Sequence, residues 1–512
     1  MLRFAVFDEQ GPAREWPLRR AYLLGPDDVG VRGDIRFEQG QIICDKRSAG
    51  AAALGLQYDA GTAGTLILQT CLLPDSKRPY VLSHELARHR IKTFLTKCEE
   101  WQMFELSTDH PAMRLWEDAR QLFTLGLNDR DPVAMDKYGR QSLERAIEAT
   151  ERLAMAHAEV LLHRRYTAKP ASNTTLGVRI NPQLPPEPYA ATLSKEFDLL
   201  YLPLSWKDLA PAEGTYNWEP IDRWVTWAHR NSRPVVAGPL INFLPDSIPP
   251  WMAVWKHDYD TTRDLLYDHL TRVIARYHSY ISVWSIAAGL NVNADFQFTP
   301  AQMLDLTRMV NLLVKQAQST RRGRTMIEIV QPFGEHVSQG NESVPPLTYI
   351  DMLVQEGIRV DCYGLQIAFG AGAGLPARDL MHVSHMLDRF FLLELPLLIT
   401  RIGVPSSGPK GERGNPQAGV APVDTSGFWQ EPWSPDVQQR WLGKAFGMAL
   451  SKPHVESFFW AELCDHPTSD IPHAGLMSDP SHQKPAFKRL IEMRRRLRKP
   501  LGPLKLPGKV SV

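Results

Sequence analysis

The spacing of apolar residues changes near residue 174 and divides the chain into two regions. Before it, short β-rich runs, RFAVF (3–7), DIRFEQGQIIC (34–44) and GTLILQTCLL (64–73), are broken by Gly, Pro and Asp. Helical patterns follow over 83–105, 111–126 and 133–166. The third is rich in helix formers and ends in basic residues, as the helix dipole favours.

After residue 174, apolar strand-like runs alternate with helical patterns. The runs lie at 174–181, 198–206, 234–242, 281–289, 324–332, 360–369, 396–405 and 455–463. The helical patterns include 258–279, 300–318, 377–391, 434–451 and 484–497. Eight such runs, each apolar throughout, predict an α/β fold with a (β/α)8 TIM barrel, preceded by the β-rich and helical region. An open doubly wound sheet is the alternative, but LGVRINPQLPP (176–186) lacks the Gly-rich phosphate loop typical of it.

Composition narrows the classes of partner. The 512 residues include 58 Lys and Arg against 57 Asp and Glu, so no strong overall field attracts nucleic acid or a membrane surface. The chain shows neither a secretory signal nor a long apolar span, and its five cysteines are scattered. These features predict a cytoplasmic protein with no nucleic-acid or membrane partner.

Several motifs in the second region carry a family resemblance. They are WKDLAPAEGTYNWEPIDRWVTWAHRNSRPVVAG (206–238), IPPWM (248–252), RYHSYISVW (276–284), YGLQ (363–366), LPLLITRIGVP (395–405), FFWAELCDHP (458–467) and GLMSDPSHQKPAF (475–487). In order and spacing, they resemble glycoside hydrolase family 10, the xylanase family, over most of 174–490. The resemblance implies a (β/α)8 barrel and a retaining glycosidase ancestry, which uses two carboxyl groups about 5–5.5 Å apart.

The same resemblance places other residues at the catalytic positions. The family's acid/base, at the end of strand four, aligns with Gly289, and its neighbouring asparagine aligns with Ala288. The nucleophile aligns with Arg401. Glycine has no functional side chain and arginine only donates hydrogen bonds, so neither does the aligned glutamate's work. Pro239 and Ala368 likewise stand where the family has histidines.

Carboxylates near other predicted strand ends are candidates for a different mechanism. They are Asp246, Asp295, Glu335, Glu462 and Asp465. An inverting pair needs a gap of about 6.5–9.5 Å, which Glu335 with Glu462 or Asp465 would supply. The competing interpretation is that Glu462 or Asp465 pairs with Arg401, since a buried arginine needs a carboxylate.

Aromatic and polar side chains around the predicted barrel mouth are candidates for binding sugar. The predicted substrate-binding residues are Trp206, Asn242, Trp251, Trp284, Gln366, Arg401 and Trp460. For the aromatic members, packing of the barrel top is the alternative. The long Gly/Pro-rich loop 405–435, with Trp429 and Trp433, is expected to form a lid or cleft wall.

Metal and cofactor motifs are weak. HELARH (84–89) has its histidines five residues apart rather than four, so a solvent-facing helix is expected there. We therefore predict neither a metal nor a cofactor.

The predicted organisation has four parts. Residues 1–105 are expected to form a β-rich domain resembling a carbohydrate-binding module, and 106–168 a helical connector. Residues 172–498 are expected to form the barrel, and 499–512 a flexible tail. The function expected from the resemblance is a catalytically degenerate, carbohydrate-binding protein with an oligosaccharide or polysaccharide partner. The alternatives are an active O-glycosyl hydrolase using Glu335 with Glu462 or Asp465, and an interaction scaffold using helix 133–166.

Overall fold

The computed structural model describes residues 1–47, 49–167, 175–244, 247–293, 296–318, 323–333, 343–370, 375–408, 426–471 and 473–501. The β-rich start of the chain contains β1 (Leu2–Ala5), β2 (Phe7–Asp8), β3 (Gly11–Pro12), β4 (Tyr22–Leu24), β5 (Gly30–Val31), β6 (Gly33–Glu38), β7 (Gln41–Lys46), β8 (Ala53–Asp59), β9 (Gly64–Gln69) and β10 (Tyr80–Val81).

Eight of these strands form two mainly antiparallel sheets, and β2 pairs with β3. One has the order β10-β1-β7-β6, and the other contains β9-β8-β4-β5. β1 alternates buried Leu2 and Phe4 with half-buried residues, as expected for a strand covered on one face. Phe4 lies opposite Ile42 of β7, so apolar side chains meet across the pair.

Three helices follow, α1 (Leu82–Glu100), α2 (Pro111–Asn128) and α3 (Pro132–Tyr166). The Asp131 side chain caps α3 by accepting from the amides of Val133 (3.1 Å) and Ala134 (3.3 Å). The solvent-facing helix expected at HELARH is wrong: His84 and Glu85 are almost fully buried. The His84 ring stacks 3.9 Å from Phe123 of α2, because α1 lies between the sheets and the other two helices.

The predicted barrel is confirmed. Its strands are β11 (Thr175–Arg179), β12 (Leu199–Pro203), β13 (Val235–Gly238), β15 (Val283–Ala288), β16 (Arg324–Ile329), β17 (Cys362–Ala368), β18 (Leu397–Gly403) and β20 (Val455–Trp460). Neighbours pair in parallel, and β11 pairs with both β12 and β20, while β13 pairs with both β12 and β15, so the sheet closes.

Helices and short strands complete this region. The helices are α4 (Ala190–Glu196), α5 (Trp206–Leu209), α6 (Glu219–Arg230), α7 (Tyr259–Tyr277), α8 (Pro300–Ala317), α9 (Pro346–Gln355), α10 (Leu380–Phe391), α11 (Pro435–Ser451) and α12 (Pro485–Leu497). The short strands are β14 (Ile241–Asn242), β19 (Phe428–Trp429), β21 (Met477–Asp479) and β22 (His482–Gln483). Within the described residues, no helix is both long and apolar enough to cross a lipid bilayer.

The barrel interior is filled by a layer of side chains. Leu199, Tyr201, Val236, Val283, Met326, Cys362, Leu398 and Phe459 form one buried cluster. Gly177 makes room for this layer, because a Cβ there would lie 2.3 Å from the Phe459 ring. The interior is therefore a packed core, and any binding site must lie above it, at the carboxyl ends of the strands.

The two regions of the chain share one continuous core. β19 leaves the barrel and pairs antiparallel with β9, with Trp429 opposite Gly64. Glu151 of α3 accepts from the Trp429 indole at 2.6 Å and from the Leu380 amide at 2.9 Å. The predicted domain boundaries stay predictions, and α3 contacts α1, α2 and α11.

Candidate functional site at the barrel mouth

A buried carboxylate ties four strands together beneath the mouth. Glu328 of β16 is 1% exposed and accepts hydrogen bonds from Gln366 Nε2 (2.7 Å), Thr400 Oγ1 (2.8 Å) and the Tyr201 hydroxyl. Burial and the nearby Glu328 carboxylate raise the pKa of Tyr201 well above its usual value, so the phenol stays a donor. This network forms a rigid polar floor.

Arg401 stands directly above this floor, at a β-bulge. The pairing of β17 with β18 shifts between Leu365 and Gln366, so Gln366 lies opposite Arg401. A bulge re-aims side chains that strict alternation would send to opposite faces. The Arg401 guanidinium pairs through Nη2 with Asp470, on the loop after β20. The prediction that Glu462 or Asp465 pairs with Arg401 is wrong, because the loop after β20 brings Asp470 to the guanidinium instead.

Glu462 and Asp465 each have other partners. Glu462 is buried, and its two oxygens lie 2.9 Å from His466 Nε2 and 3.2 Å from the donating hydroxyl of Ser469. Asp465 accepts from Lys484 Nζ at 2.7 Å. Both carboxylates therefore bond to neighbouring side chains and hold the loop after β20 in place. The third predicted carboxylate, Glu335, lies outside the described residues, as do Asp246 and Asp295.

A second arginine shares the mouth. Arg179 ends β11 opposite Tyr201 of β12, and its guanidinium carbon lies 4.7 Å from the centre of the Tyr201 ring. Its Nη1 is buried without a hydrogen-bond partner among the described residues. Sequence reasoning missed Arg179, although a charged residue closing an apolar run, as in TLGVR, is the same signal that singled out Arg401.

The position aligned with the acid/base is closed to a side chain. Gly289 follows β15 with a φ of 68°, in the left-handed region. A Cβ placed on it would lie 2.6 Å from Leu244 Cγ. The backbone and the neighbouring leucine therefore both favour glycine at this position.

The predicted sugar-binding residues divide into buried and accessible groups. Trp284 and Trp460 are fully buried, so their rings belong to the core. Trp206 is also buried, with its ring 4.7 Å from that of His269 and 5.9 Å from that of Trp251.

Three of the predicted residues, Asn242, Trp251 and Gln366, are half-buried, as Arg401 is. Asn242 Oδ1 accepts from the Leu244 amide at 3.1 Å, and Trp251 donates its indole hydrogen to Ala210 at 2.9 Å. Each side chain is thus fixed in orientation while part of its surface remains open to a ligand.

The expected aromatic cleft wall is not formed by Trp429 and Trp433. Both are buried, and Trp433 donates its indole hydrogen to the Gly427 carbonyl at 2.9 Å. Trp429 is part of β19 and faces Glu151. Residues 409–425 of this loop lie outside the described residues. Trp429 thus joins the barrel to the first region, whereas Trp433 bonds within the barrel's own loop.

A separate cavity of about 360 Å³ lies between the first region and α10. It is lined by Arg90, Arg389, Asp28 and three histidines, among others. Most of the charged groups in this lining have partners: Asp28 lies 3.8 Å from Arg389, and Arg90 bonds to the neighbouring Asp379. We place the candidate site at the barrel mouth, where a guanidinium lacks such a partner. In the part of the chain that the structure describes, no cluster of His, Cys, Asp and Glu is arranged to hold a metal ion.

Comparison with known proteins agrees with the architecture. Residues 166–299 match the family model described as Glycosyl hydrolase family 10, a segment that contains β11, β12, β13 and β15. The barrel resembles glycoside hydrolase family 10. No curated protein matches the chain.

The chain is similar to several solved structures of xylanases. Xylanase 10B from Thermotoga maritima is 17% identical, with a TM-score of 0.48 over 64% of this chain and 96% of that chain. Xylanase 10B from Thermotoga petrophila RKU-1, in complex with xylobiose, is 17% identical, with a TM-score of 0.47 over 64% and 95%. Xylanase B from Clostridium stercorarium F9 is 16% identical, with a TM-score of 0.44 over 65% and 98%.

Proposed function

We propose that the family-10-like barrel is a catalytically degenerate glycoside hydrolase domain that binds carbohydrate at its mouth. One observation carries the proposal: the residue aligned with the nucleophile is Arg401, bonded to Asp470, above an intact polar floor. A retaining glycosidase needs a carboxylate at this place and a second carboxyl about 5–5.5 Å away. Arginine does not ionise to a nucleophile or base.

The second aligned position supports the same conclusion. Gly289 has no side chain, and Leu244 occupies the space that one would need. Among the described carboxylates of the mouth, Glu328 accepts three hydrogen bonds and Glu462 lies between His466 and Ser469. These carboxylates are held by neighbours that fix the architecture.

Carbohydrate binding is supported by the chemistry that remains. Gln366, Asn242 and His466 offer donors and acceptors suited to sugar hydroxyls, and Trp251 offers part of an indole. Sites for small ligands commonly combine an aromatic surface with a few fixed polar groups. The loss of catalytic groups and the retention of such a surface together describe a binding domain.

Calorimetry and turnover assays test the proposal together. We expect β-linked xylo- or cello-oligosaccharides to bind to the full chain, with aryl β-glycosides left unhydrolysed. Trp251→Ala is expected to weaken binding at least about threefold by removing the half-buried ring. Trp255→Ala is the matched control, because Trp255 lies in the same short helical segment (Pro250–Trp255) but outside the predicted sugar-binding residues.

Two results would contradict the proposal. Absence of binding to every oligosaccharide would remove the binding function. Turnover abolished by Glu462→Gln, but not by Glu356→Gln on the outer surface, would instead support the active hydrolase in which Glu335 acts with Glu462 or Asp465.

A further inference from the structure

Arg179 carries a charge that no described carboxylate meets in a hydrogen bond or ion pair. The residue is half-buried at the end of β11, and its Nη1 is shielded from solvent. Among the described residues it has neither a hydrogen-bonded nor an ion-paired carboxylate, and its contact with the Tyr201 ring at 4.7 Å is a cation–π interaction. A guanidinium stays charged in proteins, so partial burial without an anion carries a free-energy cost.

Arg401 is only partly satisfied. Its side chain is 11% exposed, Nη2 bonds to Asp470, and Nε is buried without a partner among the described residues. Guanidinium groups bind carboxylates best through two parallel hydrogen bonds, and this one uses a single nitrogen.

Both arginines flank β20, because Val178 of β11 and Ile402 of β18 each lie opposite Trp460, and both act on one carboxylate. Burial by itself raises the pKa of Asp470, but Arg401, and to a lesser degree Arg179, lower it below its usual value. The Asp470 side chain is nevertheless 61% exposed, on a loop, so it can swing into water. The place between Arg179 and Arg401 is thus suited to an anion, and the anion found there belongs to a side chain that can leave.

We propose that the mouth binds a uronate-containing saccharide, with the sugar carboxylate displacing Asp470 and bonding to Arg179 and Arg401. This assignment rests on the proposed carbohydrate-binding function and adds the class of sugar. A carboxylate is favoured over a sulfate or phosphate because it has the planar, two-oxygen geometry of the Asp470 group that it replaces. Gln366, which lies opposite Arg401, then faces the ring of the same sugar.

Titration calorimetry with three matched ligands tests this assignment. The ligands are xylotetraose, the same chain bearing one glucuronate, and a sulfated xylotetraose. We expect the glucuronate-bearing chain to bind at least about tenfold more tightly than xylotetraose at low salt, with the difference shrinking as salt screens the charges.

Variants identify the groups responsible. Arg179→Met and Arg401→Met are each expected to bring the ratio of the two affinities, glucuronate-bearing chain over neutral xylotetraose, down to about one. Asp470→Asn removes the competing carboxylate and is expected to tighten the binding of the glucuronate-bearing chain alone. Arg308→Met is the matched control, because Arg308 pairs with Glu356 on the outer helices.

Stability separates a binding role from a structural one. Arg179 forms no ion pair with a described carboxylate, so Arg179→Met is expected to melt at the same temperature as the wild type or above it. Loss of an arginine with a structural role would instead lower the melting temperature. Equal affinity for neutral and acidic chains, tighter binding of the sulfated chain, or a lower melting temperature for Arg179→Met would each overturn the assignment. Failure of all three ligands to bind would instead contradict the proposed function itself.

Discussion

Gly289 occupies a position at the end of β15 that leaves no room for a side chain. It stands where the family resemblance expects a glutamate, its φ is 68°, and Leu244 fills the adjacent space. A side chain there meets two separate penalties, one from the backbone and one from the neighbour. Placing a carboxylate at this position therefore requires remodelling of the strand end, because a single substitution is not enough.

Substitution of Gly289 by alanine separates the two penalties. We expect Gly289→Ala to lower the free energy of unfolding by about 2–4 kcal/mol, from left-handed backbone strain plus contact with Leu244. Gly357→Ala is the matched control, because Gly357 has a φ of 69° and no heavy atom within 4 Å of the added Cβ. It should lose only the backbone part, about 1 kcal/mol.

Urea denaturation followed by tryptophan fluorescence measures both losses. Adding Leu244→Ala should remove the coupling and bring the effect of Gly289→Ala down to that of Gly357→Ala. Equal losses for the two glycines in the wild-type background would show that Leu244 yields freely.

Helices α1 and α10 are joined by a buried ion pair. Arg90 bonds to both oxygens of Asp379, one of them at 3.1 Å, and both side chains are nearly inaccessible. Asp379 also caps α10 by accepting from the His382 amide at 3.1 Å. Burial by itself raises the pKa of Asp379, but Arg90 and His382 outweigh it and hold that pKa far below the usual range.

Loss of this carboxylate is expected to destabilise the whole chain. Asp379→Asn keeps the cap and leaves Arg90 buried without an anion, which typically costs about 3–5 kcal/mol. Asp258→Asn, at the exposed cap of α7, is the control and should cost far less. Chemical denaturation at pH 7 measures both.

The charge itself is tested by removing both partners. The double variant Arg90→Met with Asp379→Leu should regain most of the lost stability, because apolar groups of similar volume need no partner. A double variant as unstable as Asp379→Asn would mean that the unpaired charge of Arg90 is not the main cause of the loss.

The sequence predicted the strands far better than the groups at their ends. All eight barrel runs are apolar on both faces, so strands such as β15 and β18 lie inside their predicted ranges. The partner of Arg401 could not be predicted, because it depends on a register shift in β18 and on the path of the loop that carries Asp470. Glu328 was readable in principle, since RTMIEI places it two residues after the inward-facing Met326.

The molecule as a whole contains several neutral, buried imidazoles. Burial lowers the pKa of His84 and His382 to about 4, and that of His89, His157 and His269 to about 3. Two of these rings lie against tryptophans: His157 is 4.3 Å from Trp101 and His269 is 4.7 Å from Trp206. In the unfolded chain each imidazole titrates near pH 6.5.

Stability is expected to fall in mild acid. Below about pH 6.5 the unfolded chain binds protons that the folded chain does not, so the free energy of unfolding decreases as the pH falls toward about 4. Each histidine contributes at most about 1.4 kcal/mol per pH unit. Melting temperatures between pH 7.5 and 5 should therefore drop steadily.

A variant without one of these imidazoles should show a shallower dependence. His269→Phe keeps a ring against Trp206 and removes one titrating group. Constant stability between pH 7 and pH 5 would contradict the neutral, buried state of these histidines.

β19 has a consequence for how this chain can be inherited. It is encoded within the barrel yet completes a sheet of the first region, and its Trp429 donates to Glu151. A recombination event joining a foreign barrel between α3 and β11 would leave one edge of β9 unpaired and Glu151 without its indole donor. The two regions are therefore expected to be transmitted as one genetic unit, so gene fusions that exchange the barrel alone should be counter-selected.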